Sequence, residues 1–356
     1  MLQSYQKLLA FFPEIEQWES SKTLQCLKEL FNDTIITEAD IKDYHQSRKA
    51  LNYLLHLPKV EQRSPEWFKL REYRLTASDL AQAIGKGKFG TRQDLLVRKA
   101  FPDLKPFETA PPLKWGTMFE DMGMRCYQER NGHIHIHEFG LIPNEEIDCF
   151  GASPDGITEE GVMIEMKCPY KRKFNGTIPE QYYLQIQGQL ATCKLTQCDY
   201  VECYMNVFGN ITEYELCIQP DESHGIILEF VKGNDYVYEY SPAKLSPNEC
   251  IEWAHQRFDE MKNHSELQFE KMTPWKLRQI FIKRVVFDPS VWNECVPQIY
   301  QFWKEAMELR EKGVEAYQAS VLEAKEAKDT KTLYMNVDYK KEKTNYKFIM
   351  DSDEES

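Results

Sequence analysis

In the stretch GASPDGITEEGVMIEMK, residues 151–167, nine residues separate Asp155 from a Glu165-Met166-Lys167 triplet. Side chains alternate faces along a strand, so Glu165 and Lys167 point one way and Met166 the other. Ser153-Pro154-Asp155-Gly156 has the composition of a turn that ends a strand over 148–152, and Gly161 opens a return strand. A hairpin of that shape sets Asp155 beside Glu165. Two carboxylates suit a hard cation such as Mg²⁺ or Mn²⁺ that keeps several waters. Lys167 is then placed to orient or deprotonate a bound water, or to offset charge on a phosphate. A surface hairpin with ordinary charges is the competing reading, because D-x9-E-x-K recurs by chance. The flanking sequence decides between them.

Upstream stand Trp67-Phe68-Lys69-Leu70-Arg71 with Thr76-Ala77-Ser78-Asp79, then Trp115-Gly116 with Glu120. Downstream, Cys168-Pro169 follows the lysine, and Tyr182, Gln185 and Gln187 form a Y-x2-Q-x-Q pattern. These four ordered motifs resemble the lambda-type exonuclease, or YqaJ viral recombinase, branch of the PD-(D/E)xK nucleases, over about 140 residues, 67–207. The fold this implies is an α/β mixed sheet, a restriction-endonuclease-like core with helical N- and C-terminal additions.

The resemblance also assigns roles. Asp155 and Glu165 would ligate the metal with the Met166 carbonyl, and Glu120 would add a further acid. The ions would be Mg²⁺ or Mn²⁺, two of them in this family. Lys167 would position water, Gln185 would orient the site, and Gln187, facing elsewhere, would be structural. A terminal-phosphate pocket would use Arg71, Ser78 and Ser153 with Lys173 or the adjacent Arg172. The implied activity is a 5′-to-3′ exonuclease on linear double-stranded DNA, from a virus or mobile element, leaving 3′ single strands for recombination, repair or replication. The alternatives are a structure-selective or restriction-like endonuclease, and a non-catalytic protein that binds DNA ends or a host factor. Partners are DNA ends, with a single-strand annealing or binding protein and a homo-oligomer left open. Phage members form ring trimers, and the flanks here could block or replace that assembly.

Composition allows this reading without revealing it. The chain has 356 residues, 42% hydrophobic, enough for one sizeable core and an appended region. No run approaches the ~20 apolar residues of a membrane span, and residues 1–12 lack a signal-peptide pattern. Ten scattered cysteines suggest reduced thiols in cytoplasm or nucleus, without iron–sulfur spacing. A formal charge of −13 is compatible with DNA binding if a groove is locally basic. Lys171-Arg172-Lys173 and the dispersed Arg71, Arg74, Lys86, Lys88, Arg92, Arg98 and Lys99 supply candidates.

Residues 1–60 have helical periodicity and read as a helical cap, followed by a nuclease core over 61–235. Within the core, helices are expected from Ser64-Pro65, from Thr76 to Gly85, over 115–131 and over 179–194. Strands are expected near 133–139, 147–152, 161–167, 199–208 and 211–219. Residues 236–328 read as a helical region, with helices at 247–264, 273–284 and 297–328, and 329–356 as a mobile charged tail. His133, His135 and His137 would share a strand face, but at steps of about 6.5–7 Å they are too far apart for one ion.

Overall fold

The computed structural model describes residues 3–31, 35–62, 64–104 and 111–320; the tail at 329–356 and the end of the 297–328 helix lie outside the described residues. Three helices come first: α1 (Gln3–Phe11), α2 (Ser20–Phe31) and α3 (Glu38–Leu55). Thr37 and Asp40 open α3 with a reciprocal capping box. Tyr5, Leu8, Leu27 and Ile41 give these helices a core of their own, while Leu51 and Leu54 of α3 dock on the main body.

Next come α4 (Pro65–Glu72), β1 (Leu75–Thr76), a 3₁₀ turn over Ala77–Asp79, α5 (Leu80–Ala83), α6 (Arg92–Ala100) and α7 (Pro111–Arg130). Five short strands follow: β2 (Ile136–His137), β3 (Ile142–Pro143), β4 (Phe150–Ala152), β5 (Gly156–Thr158) and β6 (Met163–Lys167). Then come α8 (Glu180–Cys193), β7 (Gln197–Val207), α9 (Ile211–Cys217), β8 (His224–Lys232) and β9 (Asp235–Tyr240). The described part closes with α10 (Pro247–Met261), β10 (Gln268–Val286) and α11 (Pro289–Lys312).

One sheet has seven strands in the order β2-β5-β6-β7-β10-β8-β9, and a second has three, β1-β4-β3. Within the large sheet β6 and β7 run parallel, joined through α8 as the crossover, and every other neighbouring pair is antiparallel. The alternation along β6 decides which helix each side chain meets. Ile164 and Met166 pack under Met118, Phe119 and Met122 of α7. Met163 faces Ile186, Leu190 and Cys193 of α8. The chain therefore has the mixed α/β architecture expected from its sequence. Gly188 lets α8 touch the small sheet as well, since a Cβ there would come within 3.0 Å of Phe150.

Four sequence expectations need correction. The hairpin partner of β6 is β5, after Asp155, and not the strand before it. That earlier strand shrinks to β4 and joins β1 in the small sheet, because Asn144 folds 144–147 into a turn by accepting the Glu146 and Ile147 N–H groups, both at 2.9 Å. The segment at 211–219 is the helix α9, capped by Asn210, whose side chain accepts the Glu213 N–H at 2.8 Å. Residues 273–284 are strand: β10 runs 19 residues through the middle of the large sheet, which therefore continues past residue 235. His133 lies in a left-handed turn at φ 60°, outside the two-residue β2, so the three histidines do not share a strand.

Candidate active site

Glu165 is fully buried, yet both of its carboxylate oxygens are held. Gln185 donates from Nε2 to Oε1 at 2.7 Å and Gln189 donates from Nε2 to Oε2 at 2.8 Å. Lys167 forms an ion pair with the same Oε1. The two glutamines lie one turn apart on α8, so a single helix face delivers both donors. A buried carboxylate needs such compensation, because leaving it unpaired would be strongly unfavourable.

Asp155 stands at the head of β5, where its Oδ2 accepts the Met166 N–H at 2.7 Å. That bond ties it across the hairpin to the backbone between Glu165 and Lys167. Gly156, the next residue, permits the arrangement: a Cβ would lie 2.4 Å from the Ile136 methyl on β2. Burial pushes the Asp155 carboxyl well above its ordinary value, and the Glu165 and Glu120 charges push it further, against Lys167 and the Met166 bond. Burial disfavours the Lys167 ammonium, but Glu165 and Asp155 outweigh that and hold it above its usual value. The Tyr182 ring lies 5.1 Å from the Lys167 ammonium.

Glu120 comes from α7 on the opposite face of the sheet. Its charge bears on Asp155 and on Cys168. The donor set is wholly oxygen, which fits a hard divalent cation. Among the described residues no three acidic, histidine or cysteine side chains stand close enough to form a ready ligand set. The fit therefore rests on Asp155 and Glu165, with Glu120 as the third charge; a cation drawn to them would offset both the burial and the like-charge repulsion that raise Asp155.

The residues singled out for phosphate fall into two places. Arg71 Nη2 donates to Thr76 Oγ1 at 3.4 Å and to Ser78 Oγ at 3.3 Å, and its guanidinium lies 4.3 Å from the Trp67 ring centre. Trp67 in turn donates from Nε1 to Ser153 Oγ at 3.2 Å. Arg71, Ser78 and Ser153 are thus joined through Trp67 and Thr76. Arg172 is engaged elsewhere, paired with Glu202 and 5.2 Å from the Tyr182 ring. Lys173 is exposed.

Two participants escaped the sequence reading. Gln189 was legible in principle as the i+4 repeat of Gln185. Glu202 sits opposite Lys167 in the β6–β7 register and is buried, accepting from Tyr204 Oη at 2.6 Å as well as from Tyr200 and Arg172. Gln187 bonds the Val286 carbonyl and the Asp288 N–H, fastening α8 to the β10–α11 junction.

Residues 66–199 match the family model of the YqaJ-like viral recombinase domain. An uncharacterized protein of Acanthamoeba polyphaga mimivirus is 23% identical over 307 residues, covering 74% of this chain and 56% of that protein. A protein of African swine fever virus is 27% identical over 202 residues, 46% of this chain and 57% of that protein. The chain thus spans just over half the length of these two relatives. Among solved structures it is similar to an alkaline exonuclease from Laribacter hongkongensis, at 22% identity and TM-score 0.44, covering 72% of this chain and all of that one. It is also similar to a phage-related exonuclease from Haemophilus somnus, at 13% identity and TM-score 0.35, covering 68% of this chain and 95% of that one.

Proposed function

We propose that the protein is a metal-dependent deoxyribonuclease that degrades one strand of linear double-stranded DNA from its 5′ end. It leaves 3′ single strands for recombination, repair or replication of a viral genome. The observation that carries this reading is the buried Glu165 carboxylate, clamped by Gln185 and Gln189 and facing Lys167 beside Asp155.

In this mechanism Asp155 and Glu165, with the Met166 carbonyl and Glu120, hold Mg²⁺ or Mn²⁺, two ions by the family resemblance. When bound, the metal supplies a Lewis acid for the phosphodiester and lowers the pKa of an attacking water. Gln185 and Gln189 fix the Glu165 carboxylate in one orientation. Lys167 keeps its proton on Nζ beside two carboxylates, so it acts as a hydrogen-bond donor that orients water and offsets charge on the phosphate. Arg71, Ser78 and Ser153 receive the terminal 5′-phosphate, and the site works on DNA in the cytoplasm or nucleus. A single-strand binding or annealing protein would take up the product, and a homo-oligomer would keep the enzyme on its strand.

Digestion of end-labelled linear duplexes tests the reading, with 5′-phosphate against 5′-hydroxyl ends beside a covalently closed circle. The expected result is Mg²⁺-dependent release of mononucleotides from the 5′ end and an intact circle. Rapid cutting of the circle would replace it with an endonuclease, and no cleavage with any divalent ion would replace it with an end-binding protein.

A further inference from the structure

Behind Arg71 lies a concentration of buried charge that the catalytic reading does not use. Helix α6, outside the motifs that first drew attention, places Arg98 and Lys99 against Asp79. Arg98 Nη2 meets Asp79 Oδ1 at 2.9 Å, and Lys99 Nζ meets Oδ2 at 3.0 Å. The same Lys99 ammonium, its side chain only 8% exposed, donates to the Arg71 carbonyl oxygen at 3.0 Å. Thr76 completes the connection by donating to Asp79 Oδ2 at 2.9 Å while it accepts from Arg71.

The charges in this cluster do not balance. Arg98 and Lys99 pair with the single carboxylate of Asp79, and Arg71, bonded to Thr76 and Ser78, adds a third positive charge that bears on it. Burial pushes Asp79 up, but the three cations more than reverse that and hold it well below the usual carboxylate range. Burial and the neighbouring Arg98 both press Arg71 toward losing its charge, as burial does Lys99. Two positive charges are therefore left over in a half-buried place lined by the hydroxyls of Thr76 and Ser78. Carrying that excess out of water is costly unless an anion completes it.

We infer that Asp79, Arg98 and Lys99 form a second tier of the terminal-phosphate pocket, tuned to a doubly charged phosphomonoester. This rests on the proposed function above. Lys99 is a positioning residue, since it reaches the pocket only through the Arg71 backbone and Asp79. Arg98, half exposed, supplies the second positive charge. A phosphomonoester carries about −1.5 to −2 at neutral pH and so matches the excess. An internal phosphodiester carries one charge and leaves a cation uncompensated. Selection for a chain end would then arise from charge count as well as from shape.

The test is binding of the full-length protein, in EDTA, to a short duplex with one of three 5′ ends: phosphate, its singly charged methyl ester, or hydroxyl. Wild type is expected to bind the phosphate about tenfold or more tighter than the methyl ester. Arg98→Gln should bring the phosphate down to the level of the methyl ester, and Arg98→Lys should restore most of the gap. Arg98→Gln retaining the full gap would overturn the second tier while leaving the Arg71 pocket standing. No preference among the three ends in wild type would overturn the pocket and this inference together. The surface position of Arg98 keeps both variants foldable, and equal melting temperatures confirm that the comparison is between folded proteins.

Discussion

Replacing Gln189 with methionine tests whether this side chain positions the Glu165 carboxylate for turnover or serves the fold alone. Its Nε2 donates to the buried Glu165 Oε2 at 2.8 Å. A hydrogen bond to a charged group is worth about 1.5–3 kcal/mol. Its own Oε1, however, is buried without a partner among the described residues, a loss of about 1–3 kcal/mol. Methionine of similar volume removes the good bond and the unmet acceptor together but leaves the buried Glu165 Oε2 without its donor, so folding stability should fall by about 1–3 kcal/mol. The reactive geometry has no such offset. With one oxygen freed, the Glu165 carboxylate turns about its last torsion, and turnover should fall roughly ten- to a hundredfold, the same 1.5–3 kcal/mol expressed as rate. The assay is single-turnover digestion of a 5′-phosphorylated duplex at saturating Mg²⁺, with urea unfolding of the same preparation. Gln187→Met is the internal contrast, since its two bonds fasten α8 to the β10–α11 junction. It should lose stability and keep its rate. If Gln189→Met instead lost several kcal/mol and retained wild-type turnover, the clamp would be a structural device and the reasoning would fail.

Asp155→Asn and Lys167→Ala should each reduce cleavage by about 10²–10⁴ while duplex binding stays within a few-fold, measured by digestion and by anisotropy; more than a tenth of wild-type activity in Asp155→Asn would remove it from the site. Mg²⁺ and Mn²⁺ should support cutting and EDTA should stop it, whereas Ca²⁺ should allow binding without turnover, because it takes more ligands at longer distances; efficient digestion in Ca²⁺ would contradict the assignment. Arg71→Ala should lower the rate ratio of 5′-phosphate to 5′-hydroxyl ends by roughly ten- to a hundredfold; equal slowing of both ends would make Arg71 an ordinary backbone contact. Gly156→Ala should destabilise by about 1–3 kcal/mol in urea unfolding, since its Cβ would press on the Ile136 methyl at 2.4 Å; an unchanged midpoint would show that β2 simply moves aside.

The site was far more legible in the sequence than the framework around it, and the reason is physical. Glu165, Met166 and Lys167 lie on a regular strand, where alternation alone assigns faces. On β10 the alternation breaks at a bulge between Leu277 and Gln279. Trp275 and Leu277 face α7 before it, Ile280 faces α7 after it, and Phe281 and Val285 face α8. Apolar spacings of two, then three, then four look like one helical stripe, and so the longest strand in the molecule reads as a helix. On α9 the failure was one of weighting: Asn210 with Glu213 is a helix-start signal, but the alternating apolar residues after it favoured a strand. The phosphate cluster lay between these extremes. Arg71 and Ser78 were visible by motif, but Lys99 and Arg98 act from a helix about twenty residues on, a juxtaposition that only tertiary structure supplies.

The turn at Ser153-Pro154-Asp155-Gly156 gives the two halves of the proposed site a common origin. On one side Asp155 and Glu165 face the ammonium of Lys167 while Glu120 adds a third negative charge, and burial together with the Glu165 and Glu120 charges raises Asp155. On the other side three cations face the single carboxylate of Asp79. Ser153 belongs to both, accepting from Trp67 of the basic cluster while it stands two residues before Asp155. The acid-rich centre is short of positive charge and the base-rich centre of negative charge, so in the proposed reading divalent cations would complete one and a terminal phosphate the other. Since Trp67 ties the basic cluster to this turn at Ser153, a DNA end seated against Arg71 would present Glu165 with a phosphodiester a set distance along the strand. The net charge of −13 is no obstacle to such a grip, because the attraction is built from a few desolvated groups whose fields are screened little by salt.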